Sequence, residues 1–150
     1  MKFLCDEMLK GLARWLRAAG YDAELATDGE GDRALLERAR REGRLLLTRD
    51  RKLLEFRDAG RDVLLLECNG LAECAHELVA RLGLDWQHRP FTRCLVCNVP
   101  VEPAGPEDAD RVPADVREGP LYRCPRCGRL YWEGSHVRRM RTRLADWKTR

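Results

Sequence analysis

The sequence predicts an α/β fold, in which a parallel sheet flanked by helices is followed by a small metal-stabilised domain. Two patterns lead to this prediction. Short, continuous apolar runs alternate with amphipathic helical stretches over residues 1–90, and two Cys-x-x-Cys motifs follow them. With 150 residues, 44% of them hydrophobic, the chain is long enough for one compact core and a second, smaller domain.

The first part of the chain is predicted to alternate strands and helices. Apolar runs predict strands at 3–5, 23–26, 45–48 and 63–66, and the helical stretches lie at about 7–19, 32–41 and 72–82. Gly20, Gly43 and Gly83 stand just past the ends of these stretches, where glycine is favoured. Continuous apolar strands that alternate with amphipathic helices predict a parallel sheet covered on both faces.

The most specific motif is a pair of CxxC sequences separated by 26 residues, with the cysteines Cys94, Cys97, Cys124 and Cys127. Four thiolates in this arrangement are the ligand set of a tetrahedral structural zinc site. Asn98 and Gly128 follow the two motifs, and both residue types tolerate the positive φ of a tight turn around the metal. Disulfides are the alternative, but the chain shows no export signal. The sequence therefore predicts a zinc ribbon.

The charge of the chain is unevenly distributed. The net charge is +3, but residues 91–150 carry 12 Lys and Arg against 8 Asp and Glu, whereas residues 1–90 carry 16 against 17. Much of the excess lies in a basic tail at 138–150 that contains Arg138, Arg139, Arg141, Arg143, Lys148 and Arg150. A basic segment beside a near-neutral domain suits a polyanionic partner, and a solvated tail is the alternative interpretation.

No targeting segment is evident in the sequence. Asp6 and Glu7 interrupt the N-terminus before a signal-length apolar region can form, and no apolar stretch approaches the length of a membrane span. We therefore expect a cytoplasmic protein with no membrane partner and with reduced cysteines. Cys5, Cys68 and Cys74, which lie outside the CxxC motifs, are predicted to be small buried residues. The oligomeric state cannot be read from the sequence.

Acidic residues follow the predicted strands at their carboxyl ends. Asp6 directly follows the first strand, Asp50 closely follows the third, Asp32 begins the second helix, and Glu7 adjoins Asp6. In open parallel sheets the functional crevice lies beyond these strand ends. Carboxylates that converge there repel one another unless divalent cations neutralise them, which predicts a metal site. Alternatively, Asp32 and Asp50 could simply cap helical turns.

Basic residues near this acidic group are candidates for binding phosphates. Lys10, Arg14 and Arg17 fall at i, i+4 and i+7 on the first helix, which begins right after Asp6. A solvated helix face is the alternative for this stripe. Arg49, which precedes Asp50, is a further candidate for positioning a phosphate.

Two other classes of function can be compared with this pattern. No Ser/His/Asp set or cysteine–histidine pair is evident, which argues against a protein nucleophile. A phosphoacceptor receiver domain also places acids after its first and third strands. It needs a Ser or Thr after the fourth strand and a Lys after the fifth, but here the fourth strand runs into the segment 67–70 (ECNG) and no fifth strand with a lysine follows.

Five segments of the chain resemble the Mut-seven C-terminal ribonuclease domain family: 5–9 (CDEML), 12–17 (LARWLR), 46–50 (LLTRD), 91–98 (FTRCLVCN) and 131–136 (YWEGSH). The resemblance covers roughly residues 1–140. It implies a PIN-like nuclease domain over 1–88, a zinc ribbon over 91–137 and the basic tail over 138–150. By resemblance, Asp6, Asp32 and Asp50 match the acidic positions that bind magnesium or manganese in PIN-like nucleases. Glu7 departs from the family pattern and is a fourth candidate ligand.

The sequence and the resemblance together predict a metal-dependent ribonuclease. Asp6, Asp32 and Asp50 are the expected catalytic residues, and RNA is the expected partner. The alternative is a non-catalytic RNA-binding protein that keeps the zinc ribbon and has a degenerate acidic pocket. We further predict that His136 is not a zinc ligand, because four sulfurs complete the tetrahedron. We expect it to form a hydrogen bond that holds the ribbon on the first domain, and an RNA contact is the alternative role.

Overall fold

The structure, a computed structural model, describes residues 1–56 and 59–148. Its main sheet has four parallel strands in the order β2-β1-β3-β4, formed by β1 (Lys2–Cys5), β2 (Asp22–Leu25), β3 (Leu45–Thr48) and β4 (Val63–Leu65). All four correspond to predicted strands. The predicted parallel sheet flanked by helices is confirmed. Arg150 of the predicted basic tail lies outside the described residues.

Four α-helices accompany the strands: α1 (Lys10–Ala18), α2 (Asp32–Glu42), α3 (Leu71–Leu82) and α4 (Ser135–Lys148). A 3₁₀ turn at Glu7–Leu9 leads into α1. Gly43 and Gly83 end α2 and α3 in the left-handed conformation, with φ of 66° and 64°, which a glycine adopts without steric cost. Within 1–56 and 59–148, no helix combines the length and the apolar character needed to cross a bilayer.

The main sheet is buried on both faces because successive side chains of a strand point to opposite sides. On one face, Phe3 and Leu47 join the core formed with α1 and α3. On the other face, Leu4 and Leu46 pack against Leu35 and the rest of the apolar side of α2. The continuous apolar runs seen in the sequence follow from this two-sided burial.

The C-terminal domain contains a small antiparallel sheet of three strands, β5 (Glu102–Pro103), β6 (Leu121–Arg123) and β7 (Leu130–Trp132). The first CxxC motif precedes β5, and the second lies in the turn between β6 and β7. Segment 104–120 connects β5 to β6 with two 3₁₀ turns, Pro106–Arg111 and Ala114–Val116.

The segment predicted as a basic tail is a helix that packs on the first domain. In α4, Met140, Leu144 and Trp147 are buried. The indole of Trp147 contacts Trp15 and Trp86 edge-on, with ring centroids 4.9 and 5.0 Å apart. The three buried residues are spaced i, i+4 and i+7, which makes a narrow apolar stripe that the many arginines of this segment obscured in the sequence. The solvated-tail interpretation is therefore wrong for residues 138–148, which belong to a packed helix.

The prediction of reduced cysteines is wrong for Cys68 and Cys74, which form a disulfide. Both are buried, as predicted. The chain turns between β4 and α3 and places their Cα atoms 5.0 Å apart, within the range a disulfide requires. Cys5 is a free, fully buried thiol, and its burial raises its pKa to about 12.

Candidate functional site

The carboxyl ends of β1 and β3 lie side by side, and the acidic residues predicted from the sequence follow them. The backbone N–H of Asp6 donates to Leu47 O at 3.1 Å, which extends the pairing of the two strands by one residue. Only 8% of Asp6 is exposed. The position of this carboxyl group is therefore determined by the sheet itself.

Thr48, the last residue of β3, connects Asp6 to Asp50. Its hydroxyl donates to Asp6 Oδ2 at 2.5 Å and accepts the backbone N–H of Asp50 at 3.0 Å. Thr48 is fully buried. The other oxygen of Asp6, Oδ1, accepts the N–H of Met8 at 2.9 Å and caps the turn before α1. Sequence reasoning missed Thr48, although a threonine that ends an otherwise all-leucine strand was a visible signal.

Asp50 and Asp32 differ in how they are held. Asp50 Oδ1 accepts the N–H of Lys52 at 3.0 Å, so this residue does cap the following 3₁₀ turn, as in the alternative interpretation. Asp32 does not cap α2, because Gly31 occupies that position. Its half-buried carboxylate has neither a hydrogen bond nor an ion pair with any residue of 1–56 and 59–148.

The three aspartates do not form a compact ligand cage. In the described part of the chain, the ligating atoms of the four CxxC cysteines all lie within 4.8 Å of one another, as a shared metal ion requires. No three carboxylates of the described residues form such a group. The donor chemistry fits a hard divalent cation, since all donors are carboxylate oxygens. Glu7 is exposed on the 3₁₀ turn that follows Asp6.

The basic stripe on α1 is shorter than predicted. Lys10 and Arg14 are exposed, and their side chains form no hydrogen bond or ion pair with other described residues, so both are accessible to a ligand. Arg17 is 8% exposed and does not belong to this surface. Arg49 is exposed and donates to Asn69 Oδ1 at 3.3 Å.

Arg17 instead holds the first CxxC motif against the main sheet. Its guanidinium donates to Ala23 O at 2.7 Å and to the carbonyls of Leu95 and Val96 at 3.0 and 3.1 Å. Burial lowers the pKa of Arg17, but an arginine remains charged. Its assignment to RNA binding is wrong, because the end of α1 is covered by β2 and the cysteine motif.

The four cysteines are arranged as a zinc ribbon requires. Their Sγ atoms all lie within 4.8 Å of one another. Asn98 and Gly128 have φ of 70° and 79°, as predicted. In each motif the N–H of the second cysteine points at the sulfur of the first, with Cys97 N at 3.3 Å from Cys94 Sγ and Cys127 N at 3.4 Å from Cys124 Sγ. These N–H groups stabilise thiolate charge.

The electrostatics of this group favour a bound cation. The backbone N–H of Arg129 lowers the pKa of Cys127 to about 6, which favours a thiolate there. The pKa of Cys97 is raised to about 12, mainly by burial and to a smaller extent by a hydrogen bond with Cys127. Cys97 and Cys127 therefore favour opposite ionisation states, whereas a bound Zn²⁺ would neutralise thiolate charge and fits the four-sulfur donor set.

His136 does not hold the ribbon in place. It is exposed at the start of α4 and is not part of the cysteine group. Its ring forms no hydrogen bond with any residue of 1–56 and 59–148, so the predicted hydrogen bond is wrong. Asn98 has that role. Its Oδ1 accepts Ala23 N–H at 3.0 Å, and its Nδ2 donates to Asp22 at 2.7 Å. Burial alone would raise the pKa of Asp22, but hydrogen bonds from Arg44 and Asn98 lower it.

The fold and the two candidate sites define a mixed α/β domain with an acidic sheet edge and a C-terminal four-cysteine ribbon. A sequence model of the Mut7-C RNAse domain matches residues 1–144, and the chain belongs to this family. Over 102 residues it is 37% identical to the exonuclease mut-7 homolog of Homo sapiens. The match covers 65% of this chain but 12% of that protein. No solved structure matches the chain significantly.

Proposed function

We propose that this protein is a divalent-metal-dependent ribonuclease whose active site is the acidic edge of the main sheet. Membership of an RNAse domain family supports a nuclease-type function. The observation that carries the proposal is the hydrogen-bonded set Asp6–Thr48–Asp50 at the ends of adjacent strands. This set places two carboxylates at the edge where open parallel sheets bind their ligands.

Asp32 is the third carboxylate of the proposed site. It follows β2, which is the other neighbour of β1, so the three aspartates follow three consecutive strands of the sheet. A half-buried carboxylate without a partner is unfavourable unless a cation or solvent compensates its charge. Asp32 is therefore available as a ligand, whereas Asp6 and Asp50 each use one oxygen as a cap.

Asp6, Asp32 and Asp50, with Glu7 as a fourth candidate, would hold Mg²⁺ or Mn²⁺. Such an ion supplies an activated water and neutralises the negative charge that develops on the phosphate. The chain's own residues orient the substrate. Lys10 and Arg14 are exposed on the helix that starts beside Asp6 and would bind backbone phosphates, and Arg49 would do the same beside Asp50.

Asp6→Asn tests this proposal. It removes the charge but keeps the shape and an acceptor for hydrogen bonds. We expect Mg²⁺- or Mn²⁺-dependent cleavage of RNA to fall by orders of magnitude, while the zinc content and the melting temperature are maintained. The matched control is Asp110→Asn, which changes an exposed aspartate on the ribbon and should cleave at the wild-type rate. The assay should include single-stranded, structured and transfer RNA.

Equal cleavage by wild type and Asp6→Asn, with activity that co-purifies with the protein, would reject this site. A second candidate function is RNA binding without cleavage. The absence of a compact carboxylate cage among the described residues favours it. Absence of divalent-dependent cleavage by the wild type, together with retained RNA binding, would select this second candidate.

A further inference from the structure

A groove of about 530 Å³ lies between the ribbon, α4 and the segment that links the two domains. It is separate from the acidic edge. Gly20, just beyond the C-terminal end of α1, lines the groove, whereas Asp6 precedes the N-terminal end of this helix. The length of the helix with its leading 3₁₀ turn separates the two places by roughly 15–20 Å.

Aromatic side chains form one wall of the groove. Tyr122 and Tyr131 are directly opposed on β6 and β7, which places them on the same face of the ribbon sheet. The Tyr131 hydroxyl bonds to Cys94 Sγ at 3.0 Å and accepts the N–H of Leu95 at 3.1 Å, so the zinc site orients this ring. Tyr122 is 40% exposed and makes no side-chain hydrogen bond with the described residues. Its ring is accessible from the groove.

Basic side chains surround the same groove. Arg89, Arg93 and Arg141 line it, against a single acidic residue, Glu133. Arg89 is exposed, and its side chain has no partner in the described parts of the chain. Arg141 lies 4.8 Å above the ring centroid of Phe91 and forms an ion pair with Glu133. The excess positive charge complements a phosphate backbone.

The linker residue Phe91 adopts an unfavourable backbone conformation at this groove. Its φ is 60°, which costs a non-glycine residue on the order of 1–2 kcal/mol. Hydrogen bonds to the end of α1 hold it there, with Phe91 N at 2.8 Å from Ala18 O and Arg89 N at 2.9 Å from Ala19 O. The same bonds position Arg89 and Phe91 at the wall of the groove.

We propose that this groove binds unpaired nucleotides of RNA. A base stacks on Tyr122, and the flanking phosphates contact Arg89 and Arg141. Exposed aromatic faces combined with basic side chains are the physical requirements for binding single strands, whose bases are free to stack. The proposal rests on RNA being the ligand of this protein, but it does not depend on cleavage. The ribbon would then be a second RNA-binding surface beside the acidic edge. A strand of several nucleotides is needed to reach both.

Binding should be measured by fluorescence anisotropy with a single-stranded RNA of about 12 nucleotides, which is within the range of such sites. Asp6→Asn protein without Mg²⁺ or Mn²⁺ keeps cleavage out of the measurement. We expect Tyr122→Ala to weaken binding roughly 5- to 100-fold, the effect of losing one stacked base. Tyr122→Phe keeps the ring and should bind like the parent protein. Zinc content confirms that the ribbon is intact.

Charge is tested by a matched pair of substitutions. Arg89→Gln should weaken binding and reduce the salt dependence of the affinity by about one phosphate contact. Arg61→Gln, which changes an exposed arginine outside the groove, should do neither. Unchanged affinity for Tyr122→Ala and Arg89→Gln would overturn the proposal and leave a protein partner as the occupant of the groove. Duplex RNA that binds as tightly as the single strand would also overturn it.

The groove and the proposed active site can fail independently. Normal cleavage by Asp6→Asn, with weakened binding by Tyr122→Ala, would reject the acidic site and support the groove. Loss of cleavage in Asp6→Asn, with unaffected binding by Tyr122→Ala, would support the acidic site and reject the groove.

Discussion

The side chains of Asn98 and Arg17 together complete the hydrogen bonding of Ala23 on the edge strand of the main sheet. Asn98 Oδ1 accepts the Ala23 N–H at 3.0 Å, and Arg17 Nε donates to the Ala23 carbonyl at 2.7 Å. β2 is an edge strand, so these backbone groups have no neighbouring strand. Because Asn98 directly follows the first CxxC motif and Arg17 also binds carbonyls of that motif, the zinc ribbon covers this edge.

Asn98 should therefore be needed to dock the ribbon on the main sheet, as well as to form the turn after the first CxxC motif. Asn98→Gly keeps a residue that tolerates positive φ but leaves the buried Ala23 N–H without its acceptor. We expect it to lower the free energy of unfolding by about 1–3 kcal/mol and to retain zinc. Asn98→Ala should cost a further 1–2 kcal/mol or so because its φ is 70°. Denaturant unfolding with zinc analysis measures both, and equal stability of Asn98→Gly and wild type would contradict the docking role.

Substitutions of Arg17 and Arg14 should affect different properties, although the two residues are three positions apart on one helix. Arg17→Gln leaves carbonyls of Ala23, Leu95 and Val96 without a charged donor, and we expect a loss of roughly 1.5–3 kcal/mol in unfolding free energy. Arg14→Gln changes an exposed side chain and should leave stability within about 0.5 kcal/mol of wild type. Its effect should appear as weaker RNA binding. Thermal unfolding of both variants, with RNA titration of Arg14→Gln, decides this.

We expect one tightly bound zinc per chain, held by Cys94, Cys97, Cys124 and Cys127. Cys124→Ser should lose the metal and unfold the ribbon, because the free energy of zinc ligation, about 10–16 kcal/mol, is also folding free energy. Cys5→Ala is the matched control, since Cys5 is a buried thiol outside the cluster. Elemental analysis and limited proteolysis provide the measurement. A well-folded wild-type protein with less than half an equivalent of zinc and freely reactive thiols would reject the site.

Trp147 should contribute to the core of the first domain. Trp147→Ala removes a ring that packs against Trp15 and Trp86, and we expect a loss of about 3–5 kcal/mol in the free energy of unfolding. Arg139→Ala on the exposed side of the same helix should change it by less than about 0.5 kcal/mol. Urea unfolding of the two variants gives the comparison. Equal stabilities would show that α4 is dispensable for the core.

Thr48 should act as a positioning residue for Asp6. Thr48→Val removes the hydroxyl that donates to Asp6 Oδ2, and we expect divalent-dependent cleavage to fall roughly 10- to 100-fold, as for other residues that orient metal ligands. Thr48→Ser keeps the hydroxyl and should keep most of the activity. The apparent affinity for Mn²⁺ should weaken in the valine variant alone. If serine impaired cleavage as much as valine, packing of the Thr48 methyl group would be the cause.

The sequence alone determined the local features of this protein. Apolar runs and helical periodicity predicted the four strands of the main sheet and the helices α1, α2 and α3, because these patterns are local consequences of two-sided burial. The spacing of the cysteines predicted the ribbon, and the residue types of Asn98 and Gly128 predicted its positive φ angles. The order of elements placed the acidic residues at the carboxyl ends of the strands.

Only the tertiary structure decided which side chains have a partner distant in the sequence. Periodicity placed Arg17 on one stripe with Lys10 and Arg14, but the cysteine motif that covers it lies 78 residues further along the chain. The burial of Trp147 likewise depends on a ring from α1. Such contacts depend on how separate elements pack, and no local pattern specifies that packing. For the same reason, the sequence could place Asp32 at the start of α2 but could not determine that its carboxylate has no partner among the described residues.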